Sequence, residues 1–301
     1  MISFDFIMLS ILIPTYNYPT LALAESLEQQ ALKLGITFEL ICVDDGSFGS
    51  INEENQKINI LTNSIFIENK TNLGRQANRT FLAKKAQYDW LLFLDADTKP
   101  VDASFLKTYT SALESDIDVV FGGIAYTKTP PEKSHFLRWH YGHKRESKSL
   151  ENRLTQPYLS IILGCFMIRK ELYLDISHHI PQLQYGLDVL FTSYLKEKTV
   201  TVKHIDAPVY HLGLDENTAF IEKSKIALDT LYYIYNTKNL PNTYSPILKT
   251  YHTLRIMGVS KLVGNIIGKY SKRIEQNLKS RSPNLFWFDI YRLGYLCRLT
   301  N

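Results

Sequence analysis

The sequence predicts an α/β domain on a mostly parallel sheet, followed by helices. Three observations predict it. Short apolar runs alternate with helix-periodic stretches from the start. The polar clusters "PTYN", "VDDGS" and "DAD" each follow an apolar run directly, which places them at the carboxyl ends of strands, where sheets of this kind bind ligands. From about residue 215 the strand signals stop.

In chain order, "LSILIPTYN" reads as a strand running into a polar turn. In "TLALAESLEQQALKLG", Leu23, Leu27, Ala31 and Leu34 fall at helical spacing, with Gly35 placed as a C-terminal cap. "TFELICVDDGS" and "SIFIEN" give two further strands, and "GRQANRTFLAKKA" a helix. "WLLFLDADTKP" follows, its residues Trp90 to Leu94 apolar throughout, as in a strand buried on both faces. "DASFLKTYTSALES" and "DIDVVFGGIAY" add one helix and one strand. The stretch 127–157, with Pro130-Pro131 and many charges, breaks the alternation and reads as a long excursion over the sheet edge. Later, "ENTAFIEKSKIALDTLYYIYNT" and "SPILKTYHTLRIMGVSKLVGNIIGKYSKRIEQNL" read as helices. In the second, Ile247, Tyr251, Leu254, Leu262, Ile266 and Tyr270 share one face. The domains predicted are 1–214 and a basic, aromatic helical extension, 215–301.

The 301 residues are 45% hydrophobic and 21% charged, the composition of a soluble globular protein. Cys42, Cys165 and Cys297 show neither a disulfide framework nor zinc spacing, which predicts a reducing, cytoplasmic setting. "MISFDFIMLSILIPTYN" lacks a basic n-region and a small-residue cleavage site, so it reads as a first strand rather than a signal peptide. No run approaches the length of a transmembrane helix. The net charge of +4 is uneven. Residues 249–301 carry ten Lys or Arg against Glu275 and Asp289, leaving 24 basic and 28 acidic residues before them. No G-x-G-x-x-G opens the first helix and no G-x-x-x-x-G-K-[ST] occurs, which argues against a dinucleotide dehydrogenase and a P-loop phosphotransferase.

Asp95 and Asp97 are one residue apart, so in an extended chain their side chains would point the same way and repel unless a cation lay between them. A polar turn is the plain explanation, and a divalent cation held by oxygen ligands is the functional one.

With "SILIPTYN", "ICVDDGS", "NLGRQANR" and "FLDAD" in this order, the first 215 residues or so resemble family 2 glycosyltransferases. The resemblance implies the GT-A fold, a nucleotide-diphospho-sugar transferase domain with a Rossmann-like mixed sheet. It also implies an inverting transfer from a nucleotide-sugar donor, with Mn²⁺ or Mg²⁺ as cofactor. Asp97 matches the family's metal-binding aspartate. Asp95 matches the one that meets the donor's ribose or sugar, or the metal, with Ala96 between them. Pro14, Thr15, Tyr16 and Asn17 match the first-strand turn at the nucleoside, and Asp44 and Asp45 the acidic pair facing the base. Arg75 and Arg79 fall where the family places basic residues near the nucleotide, although Arg79 is equally suited to pairing with the nearby acids. The catalytic base matches Asp188 in "YGLDVLF", with Leu187 where the family has glutamate. An isolated Asp188 would otherwise be an acid at a helix N-terminus. His211 in "DAPVYHLG" matches a histidine that closes over the metal or diphosphate; its alternative is a structural histidine.

Two stretches carry weaker signals. His135, His140 and His143 have spacings unsuited to a helix-face zinc site, and their segment resembles one that lines the donor or acceptor site in some family members. The basic, aromatic tail suits a solvated helical cap or a membrane-surface contact, with Phe286, Trp287, Phe288, Tyr291 and Tyr295 entering the interface. No nucleic-acid motif accompanies its charge. The expected partners are a nucleotide-sugar donor and a saccharide or lipid-linked acceptor, at the inner face of the cell membrane. Two other functions are a nucleotide-sugar-binding protein with impaired catalysis and a sugar nucleotidyltransferase. The latter would need a Gly-rich basic loop where "PTYNYPT" stands.

Overall fold

The structure, a computed structural model, describes residues 7–181, 185–238 and 240–299. The first six residues of the opening apolar segment therefore lie outside the described residues. The chain divides into two compact units. One comprises Met1–Tyr126, Glu146–Gln182 and Tyr194–Gly213; the other comprises Thr127–Arg145, Leu183–Ser193 and Leu214–Asn301.

The strands of the first unit are β1 (Met8–Thr15), β2 (Thr37–Asp44), β3 (Ser64–Glu68), β4 (Trp90–Leu94), β5 (Thr98–Pro100), β6 (Val119–Phe121), β7 (Ile124–Ala125), β8 (Cys165–Arg169), β9 (Val202–His204) and β10 (Val209–His211). A seven-stranded sheet runs β3-β2-β1-β4-β8-β6-β9. β1 to β4 pair in parallel, whereas β8 is antiparallel to both β4 and β6. The sheet is thus mixed, as the GT-A fold requires. Leu91 to Leu94 in β4 are inaccessible to solvent, and each such side chain contributes about 1.5–3 kcal/mol by burial. Phe93 stacks on Phe166 of β8 with ring centroids 5.1 Å apart and meets Tyr173 at 4.7 Å. Those contacts seat the helix Lys170–His179 against the sheet.

The predicted strand in "DIDVVFGGIAY" divides into β6 and β7, because Gly122 and Gly123 turn the chain from one sheet to the next. A Cβ on Gly122 would lie 2.2 Å from the Ala207 carbonyl oxygen, and Gly123 has φ +100°. β7 then joins a three-stranded sheet ordered β5-β10-β7. In it β10 is antiparallel to β5, with His211 opposite Thr98.

The excursion is largely helical: Phe136–Tyr141, a π-helical turn Gly142–Glu146, and Leu150–Leu154. Arg153 from this segment is buried in the first unit. Its Nη1 donates to the Phe121 carbonyl at 3.0 Å and its Nη2 to that of Ile205 at 2.9 Å.

The second unit is built on helices Asn217–Thr237, Pro246–Ile256, Ser260–Leu278 and Leu285–Arg298. Its core gathers Leu137, Phe220, Ile221, Ile274, Leu278, Phe288 and Tyr291. The stretch predicted as one helix from residue 245 breaks at Gly258, whose φ of +71° ends the first segment. The shared apolar face breaks with it. Tyr251 is fully buried, while Leu262, Ile266 and Tyr270 are 60%, 49% and 58% exposed. Among the described residues no helix is long and apolar enough to cross a membrane.

Candidate active site

β4 ends where its backbone leaves the ladder to make a turn. The Asp95 amide donates to the Gly164 carbonyl at 2.8 Å, and Thr98 donates to the Asp95 carbonyl through its amide and its hydroxyl. The two carboxylates therefore sit on a turn, not on an extended segment, and remain close enough to influence each other electrostatically. Asp95 is ion-paired with both Arg75 and Arg79. Arg79 also donates to the Leu163 carbonyl at 2.9 Å. Burial alone would raise the Asp95 carboxyl, but the two guanidiniums and the hydrogen bond from Arg79 overcome it and hold the group below the usual carboxylate range. Arg79, whose side chain is 3% exposed, is locked in place, whereas that of Arg75 is 45% exposed.

Asp97 has a different environment. β10 pairs with β5, and the Leu212 amide donates to the Asp97 carbonyl at 2.8 Å. This register brings His211 Nε2 to 3.4 Å from Asp97 Oδ2. Burial pushes the Asp97 carboxyl up, with Asp95 adding to it, while His211 and Arg75 pull it down. Tyr126 packs on the His211 ring with centroids 5.7 Å apart. Tyr18, which the sequence did not single out, has its phenol raised by burial and then by the Asp97 charge. Gly213 lies directly against Asp97 Oδ2. Among the described residues no cluster of three or more His, Cys, Asp or Glu side chains is arranged to hold a metal.

The turn after β1 and the acidic pair after β2 lie at neighbouring strand ends. The Asp45 amide donates to the Thr15 carbonyl at 2.9 Å. The Thr15 hydroxyl donates to the Tyr18 carbonyl at 3.1 Å, and the Asn17 amide to Ser47 Oγ at 2.7 Å. Asn17 takes φ +50°, and Tyr16 is exposed. Both acids are buried and hold loops. Asp44 accepts from the amides of Gly46 and Ser47 at 3.0 and 2.7 Å, and Asp45 from those of Leu73 and Gly74 at 2.8 and 2.9 Å. Through Asp45 the "NLGR" loop that carries Arg75 is fastened to the end of β2.

Asp188, which belongs to the second unit, is the first residue of the helix Asp188–Glu197, and Leu187 before it is buried. Trp139 Nε1 donates to the Thr127 carbonyl at 2.8 Å, and the His143 ring is 3.0 Å from the same oxygen. His140 lines a cavity with Lys144, Arg145 and Arg281.

Parallel strands whose ends carry an acidic pair, a guanidinium-held aspartate and a carboxylate–histidine contact define a GT-A domain. The model of glycosyl transferase family 2 matches residues 10–176, more than half of the chain, and the protein belongs to that family. An uncharacterised glycosyltransferase of Haemophilus influenzae is 41% identical over 92 residues, covering 30% of this chain and 29% of that protein. The chain thus spans under a third of that relative's length. Among solved structures, S. aureus TarS 1–349 in complex with UDP-GlcNAc superposes with a TM-score of 0.50 at 16% identity, covering 96% of this chain and 90% of that one. A mannosyltransferase from Pyrobaculum calidifontis, in complex with GDP-Man and Mn²⁺, gives 0.50 at 13% identity, covering 80% and 68%. At such identities the likeness is one of fold.

Proposed function

We propose that the protein is a metal-dependent, inverting glycosyltransferase. It moves a sugar from a nucleotide-sugar donor, by preference a UDP-sugar, to a saccharide or lipid-linked saccharide in cell-surface glycan synthesis. In this proposal residues 1–214 carry the transferase chemistry and 215–301 form an extension to it. The observation that carries the reading is the contact between Asp97 and His211, 3.4 Å apart, beside an Asp95 already neutralised by Arg75 and Arg79.

The residues present fit Mn²⁺ or Mg²⁺. Asp97 supplies a hard oxygen and His211 an imidazole nitrogen, and Gly213 leaves the flank of Asp97 without a side chain. Two protein ligands suit a cation completed by substrate phosphates and water. When bound, the cation neutralises charge growing on the departing nucleoside diphosphate. The turn of Pro14, Thr15, Tyr16 and Asn17 receives the nucleoside. Asp44 or Asp45 accepts from the base, since a carboxylate has lone pairs beyond those its loop amides use. Asp95, with Ala96 beside it, orients the ribose or sugar, and the exposed Arg75 faces the diphosphate. Asp188 takes the proton from the acceptor hydroxyl as that oxygen attacks the far face of the anomeric carbon.

Calorimetry with UDP-, GDP- and dTDP-sugars, with and without Mn²⁺, tests the donor side. Metal-dependent binding of one nucleotide class supports the proposal; no metal-dependent binding of any overturns it. Leu187 favours a second reading, in which the chain binds donors without transferring them, because a buried leucine stands where the family has glutamate. Asp188→Asn separates the two. Transfer or donor hydrolysis falls by roughly 10²–10⁴-fold with unchanged donor binding if Asp188 is the base.

A further inference from the structure

The second unit exposes an apolar surface that its own packing leaves uncovered. Leu262, Ile266 and Tyr270 fall four residues apart on the outer face of the helix Ser260–Leu278, and so form one stripe. Phe286 and Trp287, at the start of the next helix, are 64% and 46% exposed. Ile266, Tyr270 and Trp287 border one open cleft of about 820 Å³ with Ile267, Ile274 and Ile290, so the stripe and the aromatic turn are a single surface. A merely solvated face would not gather five large apolar side chains.

The charge on the outer side of this helix that no ion pair engages is basic. Lys261, Lys269, Lys272 and Arg273 lie on the outer side of the same helix, and no carboxylate among the described residues is within ion-pair distance of them. The two acids of residues 249–301 are engaged within the unit. Glu275 accepts from the Tyr291 hydroxyl at 2.6 Å, and Asp289 from Arg145 at 2.7 Å. Across the 281–286 turn lies a second hollow, of about 740 Å³, bordered by His140, Lys144, Arg145, Arg281 and Phe286.

We propose that this face docks on an anionic phospholipid bilayer. Leu262, Ile266, Tyr270, Phe286 and Trp287 enter the interfacial layer, where aromatic rings with a polar edge are favoured. Lys261, Lys269, Lys272 and Arg273 meet the head groups, and the hollow bordered by Lys144 and Arg281 receives one of them. A basic apolar face of this kind needs both terms, so it binds charged membranes and leaves neutral ones. The inference goes beyond the proposed reaction and does not depend on it, because its test reads binding alone.

The test is co-sedimentation of the full chain with vesicles of phosphatidylcholine, alone and mixed with phosphatidylglycerol. Binding to the mixed vesicles only, weakening as salt rises, is the expected result. Lys269→Glu with Lys272→Glu lowers that binding at least about tenfold, because each basic residue near an anionic surface contributes roughly fivefold. Brominated lipid quenches the Trp287 emission, and Trp287→Phe removes that quenching. All three positions are exposed, so an unchanged thermal midpoint certifies each variant. Absent or lipid-independent binding overturns the proposal, as does binding unaffected by the double substitution. So does light scattering that finds a lipid-free dimer which Ile266→Glu dissociates, since a second copy would then cover the face.

Discussion

Gly213 lies so close to Asp97 that a Cβ on it would be 2.0 Å from the carboxylate's Oδ2. The strand pairing of β10 with β5 delivers this glycine together with His211, so one register sets both the imidazole and the open flank beside Asp97. Substitution of Gly213 by alanine forces Asp97 aside, since the three atoms nearest the added methyl all belong to that aspartate. The expected outcome is a loss of roughly 10–100-fold in Mn²⁺-dependent donor binding, the range for displaced metal-site geometry. Calorimetry measures the affinity, and far-ultraviolet circular dichroism checks that the fold is retained.

Arg79 is the buried half of the clamp on Asp95, and its Nη2 is shared with the Leu163 carbonyl. Arg79→Met removes one of two cations from a nearly enclosed carboxylate. Stability falls by about 3 kcal/mol, as when one partner of a buried pair is removed. Arg75→Ala, at an exposed position, costs well under half of that and instead weakens donor binding. Urea denaturation of the two variants reads the difference.

His204 gives the first unit a pH dependence. Arg153 Nη1 approaches its Nδ1 at 3.3 Å, and an arginine can only donate, so Nδ1 accepts and Nε2 carries the proton toward the Pro157 carbonyl at 2.9 Å. Burial lowers the imidazole below its ordinary 6.5, the Pro157 carbonyl partly opposes this, and Arg153 lowers it further. Below that ordinary value the unfolded chain takes up a proton that the folded chain refuses. The contribution of His204 is therefore complete above about pH 6.5 and declines as pH falls toward the depressed folded value. Urea midpoints measured from pH 7.5 downward should drop through this window in the native protein and flatten in His204→Gln.

Much of this architecture was legible in the sequence because it is local. β1 to β4 are apolar runs whose ends carry their polar residues, and Gly35 caps its helix as its position suggests, with φ +66°. What the sequence hid depends on distant partners. The antiparallel β8 is an apolar run whose direction is set only by its neighbours β4 and β6. The Gly122-Gly123 pair was the one local sign that "VVFGGIA" is two strands. Arg153 lay in a charge-rich stretch with nothing to mark it as buried, and its partners Phe121 and Ile205 come from elsewhere in the chain. Asp44 and Asp45 show the limit of a motif: both carboxylates hold loop amides, a duty the sequence pattern does not disclose.

Titration of Mn²⁺ followed by electron paramagnetic resonance, in the presence of UDP, tests the central claim most directly. The native protein is expected to take up one Mn²⁺ per chain with UDP present, and Asp97→Ala to take up none in the same range. Equal uptake by Asp97→Ala, or none by the native protein, would contradict the assignment of this strand end to a metal–diphosphate.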